Sequence, residues 1–156
     1  MISVDIANHR FQLRAAAVFV HDNHVLLHRI EGDAFWALPG GRVEPGEEAC
    51  HTVVREMKEE LNESIVCSEL LYLVENFLHY DNKPNHEIGL YFLTRFAPGS
   101  ACLDISRTHR GVEGEKKLEF RWFSRDDLHN VVLHPAFLQA ALAAPALRFQ
   151  HVVQQG

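Results

Sequence analysis

Four glutamates near the middle of the chain, Glu56, Glu59, Glu60 and Glu63, could do chemistry together. If they lie on a helix, which turns about 100° per residue, they occupy one arc of roughly 100°. Like charges four residues apart repel, and a divalent cation would remove that repulsion because hard cations bind clustered carboxylate oxygens. The spacing therefore suits Mg²⁺ or Mn²⁺. The alternative is a solvated acidic face that pairs with neighbouring basic residues.

The element that must carry these acids is a helix predicted over residues 47–61. Ala49, Val53 and Met57 recur every four residues, which is the spacing of one apolar stripe on a helix. Asn62 follows the last turn, and Asn is second only to Gly at the left-handed position that ends many helices. The helix should therefore stop at residue 61.

A tight turn is predicted immediately before this helix, at Pro39-Gly40-Gly41 and again at Pro45-Gly46. Glycine and proline allow or fix the backbone angles that such a turn needs. The turn would bring backbone carbonyls and amides close to the acidic helix. The predicted glycine turn beside the helix therefore favours a metal site over a merely solvated acidic face.

Together, the turn and the helix resemble the Nudix box, whose pattern is G-x5-E-x7-R-E-(aliphatic)-x-E-E-x-G-(aliphatic). Its fixed positions are filled here by Gly41, Glu47, Arg55, Glu56, Glu59 and Glu60. Asn62 replaces the second glycine of the pattern, and Glu63 replaces the closing aliphatic residue. Neither departure removes a carboxylate from the helix.

The resemblance implies a fold and an activity. The fold is α+β, a Nudix-like α/β/α sandwich with a mixed β-sheet, in a single domain over residues 1–156. The activity is divalent-metal-dependent hydrolysis of a phosphoanhydride bond in a nucleoside diphosphate linked to another group, such as a nucleotide or a sugar. The alternative is a non-catalytic Nudix-like module that binds or senses a nucleotide.

The resemblance also implies roles for individual residues. Glu56, Glu59 and Glu60 would bind Mg²⁺ or Mn²⁺, and the backbone carbonyl of Gly40 would complete the site. Arg55 would orient a carboxylate, most simply Glu47, and Gly41 would support the turn.

The general base stays open between the helix and a distant loop. On the helix the candidate is Glu56, which would then activate water. The loop candidates are Glu113, Glu115 and Glu119, and Glu115 is preferred because flanking glycines would let that loop close over a substrate. Glu87, at the start of a predicted strand, is a further candidate metal ligand.

Substrate contacts are predicted from aromatic and basic side chains. Trp36, Phe77 and Tyr80 could stack on a nucleobase, since any π face serves. Arg14, Arg29, Arg107 and Arg110 could reach phosphates. The alternative for the aromatic residues is packing in the core, which is the commoner place for aromatics in strands.

Composition narrows the class of protein. A chain of 156 residues can form one domain with a substantial core, and its net charge of −6 argues against stable nucleic-acid binding. No apolar run approaches the roughly 20 residues that span a bilayer, and the first residues lack the order of a signal peptide. Cys50, Cys67 and Cys102 show no CxxC spacing and are predicted to be reduced thiols in a cytoplasmic protein.

Strands are predicted on both sides of the acidic helix, which is the pattern of an α+β or mixed-sheet sandwich. Exposed strand edges in such a sandwich would suit a homodimer. The region 97–117 is predicted to be a loop, a second helix is predicted over 135–144, and the tail 150–156 is left unassigned. The predicted strands cover 11–20, 25–29, 35–38, 65–80, 87–96 and 118–123.

Overall fold

A computed structural model of the chain describes residues 1–156. Nine strands and two α-helices follow one another along the chain, with short 3₁₀ helices at Ala101–Leu103 and Arg125–Asn130. The elements are β1 Ser3–Ile6, β2 His9–His21, β3 His24–Ile30, β4 Gly40–Arg42, α1 Ala49–Leu61, β5 Ile65–Tyr80, β6 Lys83–Phe96, β7 His109–Glu113, β8 Lys116–Ser124, α2 Leu138–Ala143 and β9 Gln150–Gln155.

The strands form a mixed sheet in the order β7-β8-β3-β2-β6-β5-β9, and β1 and β4 also pair with β2. The β2–β6 and β5–β9 pairs are parallel, and the other pairs are antiparallel. The long strand β2 contacts both halves of the sheet. The α+β fold with a mixed sheet, expected from the sequence, is confirmed.

The two helices pack against different hydrophobic clusters, and β2 contributes to both. Phe19 belongs to the cluster that contains Met57 of α1. Val18, its neighbour in β2, belongs to the cluster that contains Leu138 and Leu142 of α2. Successive strand residues point to opposite faces, so β2 reads as a continuous apolar run because both of its faces are buried. Neither α1 nor α2 has the length and apolar character needed to cross a membrane.

Helix α1 begins at Ala49, two residues later than predicted, and ends at Leu61 as expected. Asn62 has a φ of 55°, in the left-handed region, and its backbone N–H donates to the carbonyl of Lys58. The predicted helix end is therefore confirmed, and the asparagine supplies the conformation that glycine supplies in the usual pattern.

Four segments differ from what was predicted, or left unassigned, on the sequence. The predicted loop 97–117 contains β7, which pairs with β8 as a hairpin, and the tail forms β9 beside β5. The predicted strand 35–38 makes only isolated bridges, and the second helix covers Leu138–Ala143 instead of 135–144. Strands β7 and β9 are rich in polar residues, so alternation alone could not reveal them, and tertiary pairing holds them in place.

The cysteine prediction was wrong for two of the three residues. Cys50, in the first turn of α1, forms a disulfide with Cys67 in β5, and only Cys102 is free. The helix packs beside β5 and brings together two residues that lie 17 positions apart. Their spacing along the chain does not predict that contact.

Candidate active site

Gly40 and Gly41 belong to the short strand β4 instead of the predicted turn, and β4 lies directly on β2. Gly40 pairs with Ala16 and Gly41 with Ala15. A β-carbon at Gly40 would overlap the backbone of Ala15, and a β-carbon at Gly41 would overlap the carboxyl group of Glu56. Both positions therefore need glycine, because β4 approaches β2 and an acid of α1 closely.

Arg55 links several of the acids on and before α1. Its Nε and Nη2 donate to the two carboxylate oxygens of Glu47, at 2.7 and 3.0 Å, and Nη1 donates to Glu56 at 3.0 Å. These hydrogen bonds to Arg55, assisted by the Thr52 hydroxyl, lower the pKa of Glu47 to about 2. The same acids raise the pKa of the Arg55 guanidinium. Arg55 and Glu47 therefore form a charged pair that supports the start of the helix.

Glu60 has the opposite environment. It is only 4% exposed, and no donor group pairs with either of its carboxylate oxygens, although the carboxyl of Glu56 lies within hydrogen-bond reach. Burial, followed by the adjacent Glu56 carboxyl, raises the pKa of Glu60 to about 10. The nearest basic group, Nδ1 of His28, lies 3.9 Å away and also lacks a partner, and burial lowers the pKa of His28 to about 3. A buried carboxyl with orphaned oxygens beside a second carboxyl fits a hard cation.

Glu59 does not join this pair in the present conformation. Its side chain is 58% exposed and lies 3.4 Å from Nη1 of Arg55. No three His, Cys, Asp or Glu side chains converge on a point that could hold a metal ion. The structure therefore brings Glu56 and Glu60 together, with Glu56 against Gly41, and leaves Glu59 turned toward Arg55.

A cavity of about 730 Å³ opens beside β4, with Gly40 and Arg42 in its lining. It reaches Gly40 and His28 at one end and the end of the sheet formed by β5, β6 and β9 at the other. Arg14 lines it between these two ends and donates to the carbonyl of Leu38 at 3.2 Å. The cavity is large enough for a drug-sized or nucleotide-sized ligand.

Comparison with known proteins decides the family. The NUDIX domain model matches residues 11–144, which is most of the chain. The chain belongs to the Nudix family. The sequence-based expectation is confirmed, and the stretch from Gly41 to Glu63 is its Nudix box.

Two named relatives illustrate the likeness. "Putative ADP-ribose pyrophosphatase YjhB" of Bacillus subtilis (strain 168) is 31% identical over 103 residues, which are 65% of this chain and 49% of that protein. The chain thus spans about half the length of this curated relative. The crystal structure of a MutT NUDIX hydrolase from Burkholderia pseudomallei has a TM-score of 0.66 at 25% identity and covers 86% of this chain and 98% of that one.

A third comparison concerns the fold alone. The crystal structure of an ADP-ribose pyrophosphatase from Streptococcus suis 89-1591 has a TM-score of 0.62 at 19% identity, covering 92% of this chain and 98% of that one. The relatives named here are hydrolases and pyrophosphatases, so the chain has the fold and family of a Nudix-type hydrolase.

The loop acid preferred from the sequence does not face the Nudix box. Glu115 lies in the turn between β7 and β8, is exposed and does not line the cavity. Glu113, at the end of β7, lines the cavity, and its charge contributes to the raised pKa of Glu60. Glu119 is held by Arg29, with Nε 2.7 Å from its carboxylate. Of the three loop acids only Glu113 lines the cavity, because β7 and β8 form a hairpin and Glu115 lies in its exposed turn.

The predicted substrate-binding residues are scattered. Arg29 and Tyr80 line the cavity, but the guanidinium of Arg29 is already bound to Glu119 and to the carbonyl of Asp33. Trp36 is 7% exposed and packs against the ring of Phe123, with Arg29 over its face at 4.4 Å. Trp36 thus occupies the core position that was the alternative in the sequence analysis.

Phe77 and Glu87 also lie away from the Nudix box. Phe77 is half-buried, packs against the ring of His86 and does not line the cavity. Glu87 lines the far end of the cavity, where it accepts a hydrogen bond from Gln12 at 2.6 Å. Glu87 pairs with Gln12, four residues along β2 from Ala16, the partner of Gly40, so it lies apart from the acids of α1.

Some polar residues that line the cavity were not predicted from the sequence. Gln12 and Asn76 are 7% and 6% exposed and lie on the inward face of their strands. Alternation along the strand could have revealed them. Gln12 and Arg14 are separated from the buried Ala16 and Val18 by even numbers of residues, so all four side chains lie on the same face of β2. A polar residue at an inward position of an otherwise apolar strand indicates a site or a network.

Proposed function

We propose that the chain is a metal-dependent Nudix hydrolase that cleaves a phosphoanhydride bond in a nucleoside diphosphate linked to another group. The observation that carries the proposal is Glu60, a buried carboxyl that lies against the carboxyl of Glu56 and has no donor group on either oxygen. A carboxyl in such a place is costly unless a ligand or ion compensates it. Because Glu60 lies within the Nudix box, a bound ion would explain why the chain tolerates the free-energy cost of burying this carboxyl.

Mg²⁺ or Mn²⁺ is the cofactor that these residues fit. Glu56, Glu60, Glu59 and the carbonyl of Gly40 would hold it, and Glu59 would first leave Arg55. When bound, such an ion neutralises phosphate charge and makes a coordinated water easier to deprotonate.

The remaining residues of the Nudix box orient and support. Arg55 fixes Glu47 through two hydrogen bonds, and its third contact, to Glu56, limits the positions of that carboxylate. Gly41 leaves room for the same carboxylate. Glu113 faces the cavity near Glu60 and is the loop acid best situated to accept a proton from an attacking water.

ADP-ribose is the first substrate to test, because the Bacillus and Streptococcus proteins are named for its hydrolysis. The cavity suits a ligand of this size, and Arg14 lies between the Nudix box and the far end, where it could contact a phosphate. Tyr80, 58% exposed at the rim, could stack on a base. Nucleotide sugars and dinucleotides complete the panel.

The test is turnover by Glu60→Gln. Product release from ADP-ribose with Mg²⁺ or Mn²⁺ should fall by at least 100-fold, on the order of the loss seen for a removed transition-state contact. Glu69→Gln is the matched control, because Glu69 is exposed on β5. Circular dichroism should show the same fold in all three proteins. Equal turnover by the wild type and Glu60→Gln would refute the proposal.

A second candidate is a nucleotide-binding module without turnover. One observation favours it: Glu59 is turned to Arg55, so three acids do not converge. Calorimetry followed by chromatography of the same sample separates the two functions. Stoichiometric binding with intact ligand after long incubation with Mg²⁺ and Mn²⁺ would support the binding module, and released products would support the hydrolase.

We further propose that residues 1–156 form one domain and that the chain associates as a homodimer through an open edge of the sheet. The strands at the two ends of the strand order are β7 and β9. Sedimentation equilibrium would test the association. The cytoplasmic location was inferred partly from reduced thiols, and the Cys50–Cys67 disulfide removes that argument.

A further inference from the structure

Polar side chains cross four neighbouring strands at one level of the sheet, far from the Nudix box. Gln12 of β2 pairs with Glu87 of β6, Glu87 pairs with Asn76 of β5, and Asn76 pairs with Gln154 of β9. All four residues line the cavity. We call them the polar row.

Within the polar row, Glu87 is a buried carboxylate held only by amides. It is 6% exposed and accepts from Nε2 of Gln12 at 2.6 Å and from Nδ2 of Asn76 at 3.5 Å. No lysine, arginine or histidine nitrogen lies within 4.0 Å of it. A carboxylate can accept about four hydrogen bonds, and the contact to Asn76 is long, so Glu87 retains unused acceptor capacity.

Gln12 adds a second acceptor. Because its Nε2 donates to Glu87, its Oε1 is the atom left over, and this atom is buried without a partner. Gln154, by contrast, is satisfied, since its Oε1 accepts from the backbone of Phe137 and its Nε2 donates to the carbonyl of Gln155. The floor of the cavity thus has a surplus of acceptors at Glu87 and Gln12. A ligand that compensates them must bring N–H or O–H donors.

The polar row lies at a definite distance from the Nudix box. Gly40 pairs with Ala16, and Gln12 lies four residues back along β2. At about 3.3 Å per strand residue this separation is roughly 13 Å. A bare pyrophosphate at the box would not reach so far, whereas a phosphate-linked nucleoside or sugar would.

We propose that Glu87, supported by Gln12 and Asn76, recognises the end of the substrate that carries adjacent hydrogen-bond donors, either the vicinal hydroxyls of a ribose or the amino-bearing edge of a nucleobase. This inference rests on the proposed function for the identity of the substrate. The carboxylate accepts the donors, and the two amides hold it in position. Glu87 is therefore a specificity-determining residue.

The test compares Glu87→Gln with wild type on substrates that differ in one donor group. The substrates are ADP-ribose, analogues lacking one ribose hydroxyl, and the analogue with hypoxanthine in place of adenine, which lacks the amino group. In wild type, removal of the recognised donor should lower kcat/KM by roughly 10- to 100-fold, as expected for a hydrogen bond to a charged group. In Glu87→Gln the same removal should change kcat/KM by less than about 3-fold. The affected analogue tells whether the donor belongs to a ribose or to the base.

Glu75→Gln is the matched control. Glu75 neighbours Asn76 on β5, but it is 39% exposed and bound to His151, and it does not line the cavity. It should preserve the discrimination of the wild type. A purely structural Glu87 would lower kcat/KM equally for every substrate and leave each ratio unchanged, which would overturn the proposal. If Glu87→Gln fails to fold, the same ratios of kcat/KM between substrates are measured with Gln12→Met. This change removes the amide that holds Glu87 and keeps a neutral side chain of similar length, so the discrimination between substrates should again shrink.

The recognition role of Glu87 can also be tested if the chain proves not to be a hydrolase. If wild type releases no product from any substrate, binding of ADP-ribose is measured by calorimetry. A Kd at least 10-fold weaker in Glu87→Gln than in both wild type and Glu75→Gln supports recognition by Glu87. Equal Kd values, or no binding by wild type, overturn it.

Discussion

The guanidinium of Arg55 binds the carboxylate of Glu47 through two parallel hydrogen bonds, from Nε at 2.7 Å and from Nη2 at 3.0 Å. The two residues lie on either side of the start of α1, so this pair fastens the glycine-rich approach to the helix. Because Arg55 also contacts Glu56, the pair sets the geometry of a candidate metal ligand. Stability and activity should therefore depend on it in separable ways.

Acid should weaken the fold through Glu47. The pKa of this carboxyl is about 2 in the folded chain against an ordinary value of 4.5. A lowered pKa means that the stabilisation is complete above the ordinary value and is lost as the pH falls from 4.5 toward 2. Glu47→Gln should lose about 1 kcal/mol of unfolding free energy near neutral pH, allowing for partial exposure, and should show a flatter decline below pH 4.5.

Urea unfolding at several pH values between 2 and 7 measures this effect. Glu69→Gln, at an exposed position on β5, should keep the pH profile of the wild type. If Glu47→Gln and wild type lose stability in parallel over the acid range, the pair does not contribute as described.

A methyl group at Gly41 should damage the site more than the fold. The added β-carbon would overlap the Glu56 carboxyl, which must then move. Gly41→Ala should lower turnover by at least 10-fold and stability by about 1 to 3 kcal/mol, the usual range for overpacking. In a Glu56→Ala background the space is vacant, so the same change should cost little further stability. Additive losses in this double-mutant cycle would contradict the overlap.

The sequence sufficed for the elements whose signals are local. The end of α1 at Asn62 followed from one residue type, and the long strands β5 and β6 followed from apolar runs bounded by a turn. The pairing of Arg55 with Glu47 followed from the resemblance to the Nudix box, whose pattern is itself a set of local spacings. In each case the residues that define the feature are close neighbours along the chain.

Features that depend on distant strands could not be predicted. Glu113 and Glu115 differ by two positions, and only the hairpin between β7 and β8 shows which one faces the cavity. The contact of Glu87 with Gln12 joins residues 75 positions apart and depends on the parallel register of β2 and β6. The disulfide between Cys50 and Cys67 likewise depends on how α1 packs. Register and packing follow from the whole core and not from any one segment.

The disulfide should contribute substantially to stability. It closes a loop between residues 17 positions apart, for which chain entropy suggests about 3 kcal/mol. Urea unfolding with and without reductant should show this difference in the wild type and none in the double variant Cys50→Ala/Cys67→Ala. A thiol assay of the unfolded chain should find one reactive cysteine, Cys102, before reduction. Three thiols without reductant would contradict the bond.

A divalent cation should stabilise the folded chain through Glu60. The unfolded chain lacks the site, so an ion that binds the folded state raises the unfolding free energy by RT ln(1 + [M]/Kd), about 2.7 kcal/mol at 100 times Kd. The melting temperature of the wild type should therefore rise with Mn²⁺ concentration and fall back when a chelator removes the ion. Glu60→Gln should lack most of this response, because it removes a carboxylate ligand from the most buried acid of the Nudix box.

The response of Glu59→Gln separates the two conformations of the site. If Glu59 leaves Arg55 to bind the ion, this variant should also bind Mn²⁺ more weakly, by roughly 10-fold or more as for the loss of one charged contact. If Glu59 keeps the position it has beside Arg55, the variant should respond to Mn²⁺ as the wild type does, and Glu56 and Glu60 would be the only helix ligands. A wild-type melting temperature that is insensitive to both Mn²⁺ and Mg²⁺ would refute the metal site, since Glu60 would then be buried for some other reason.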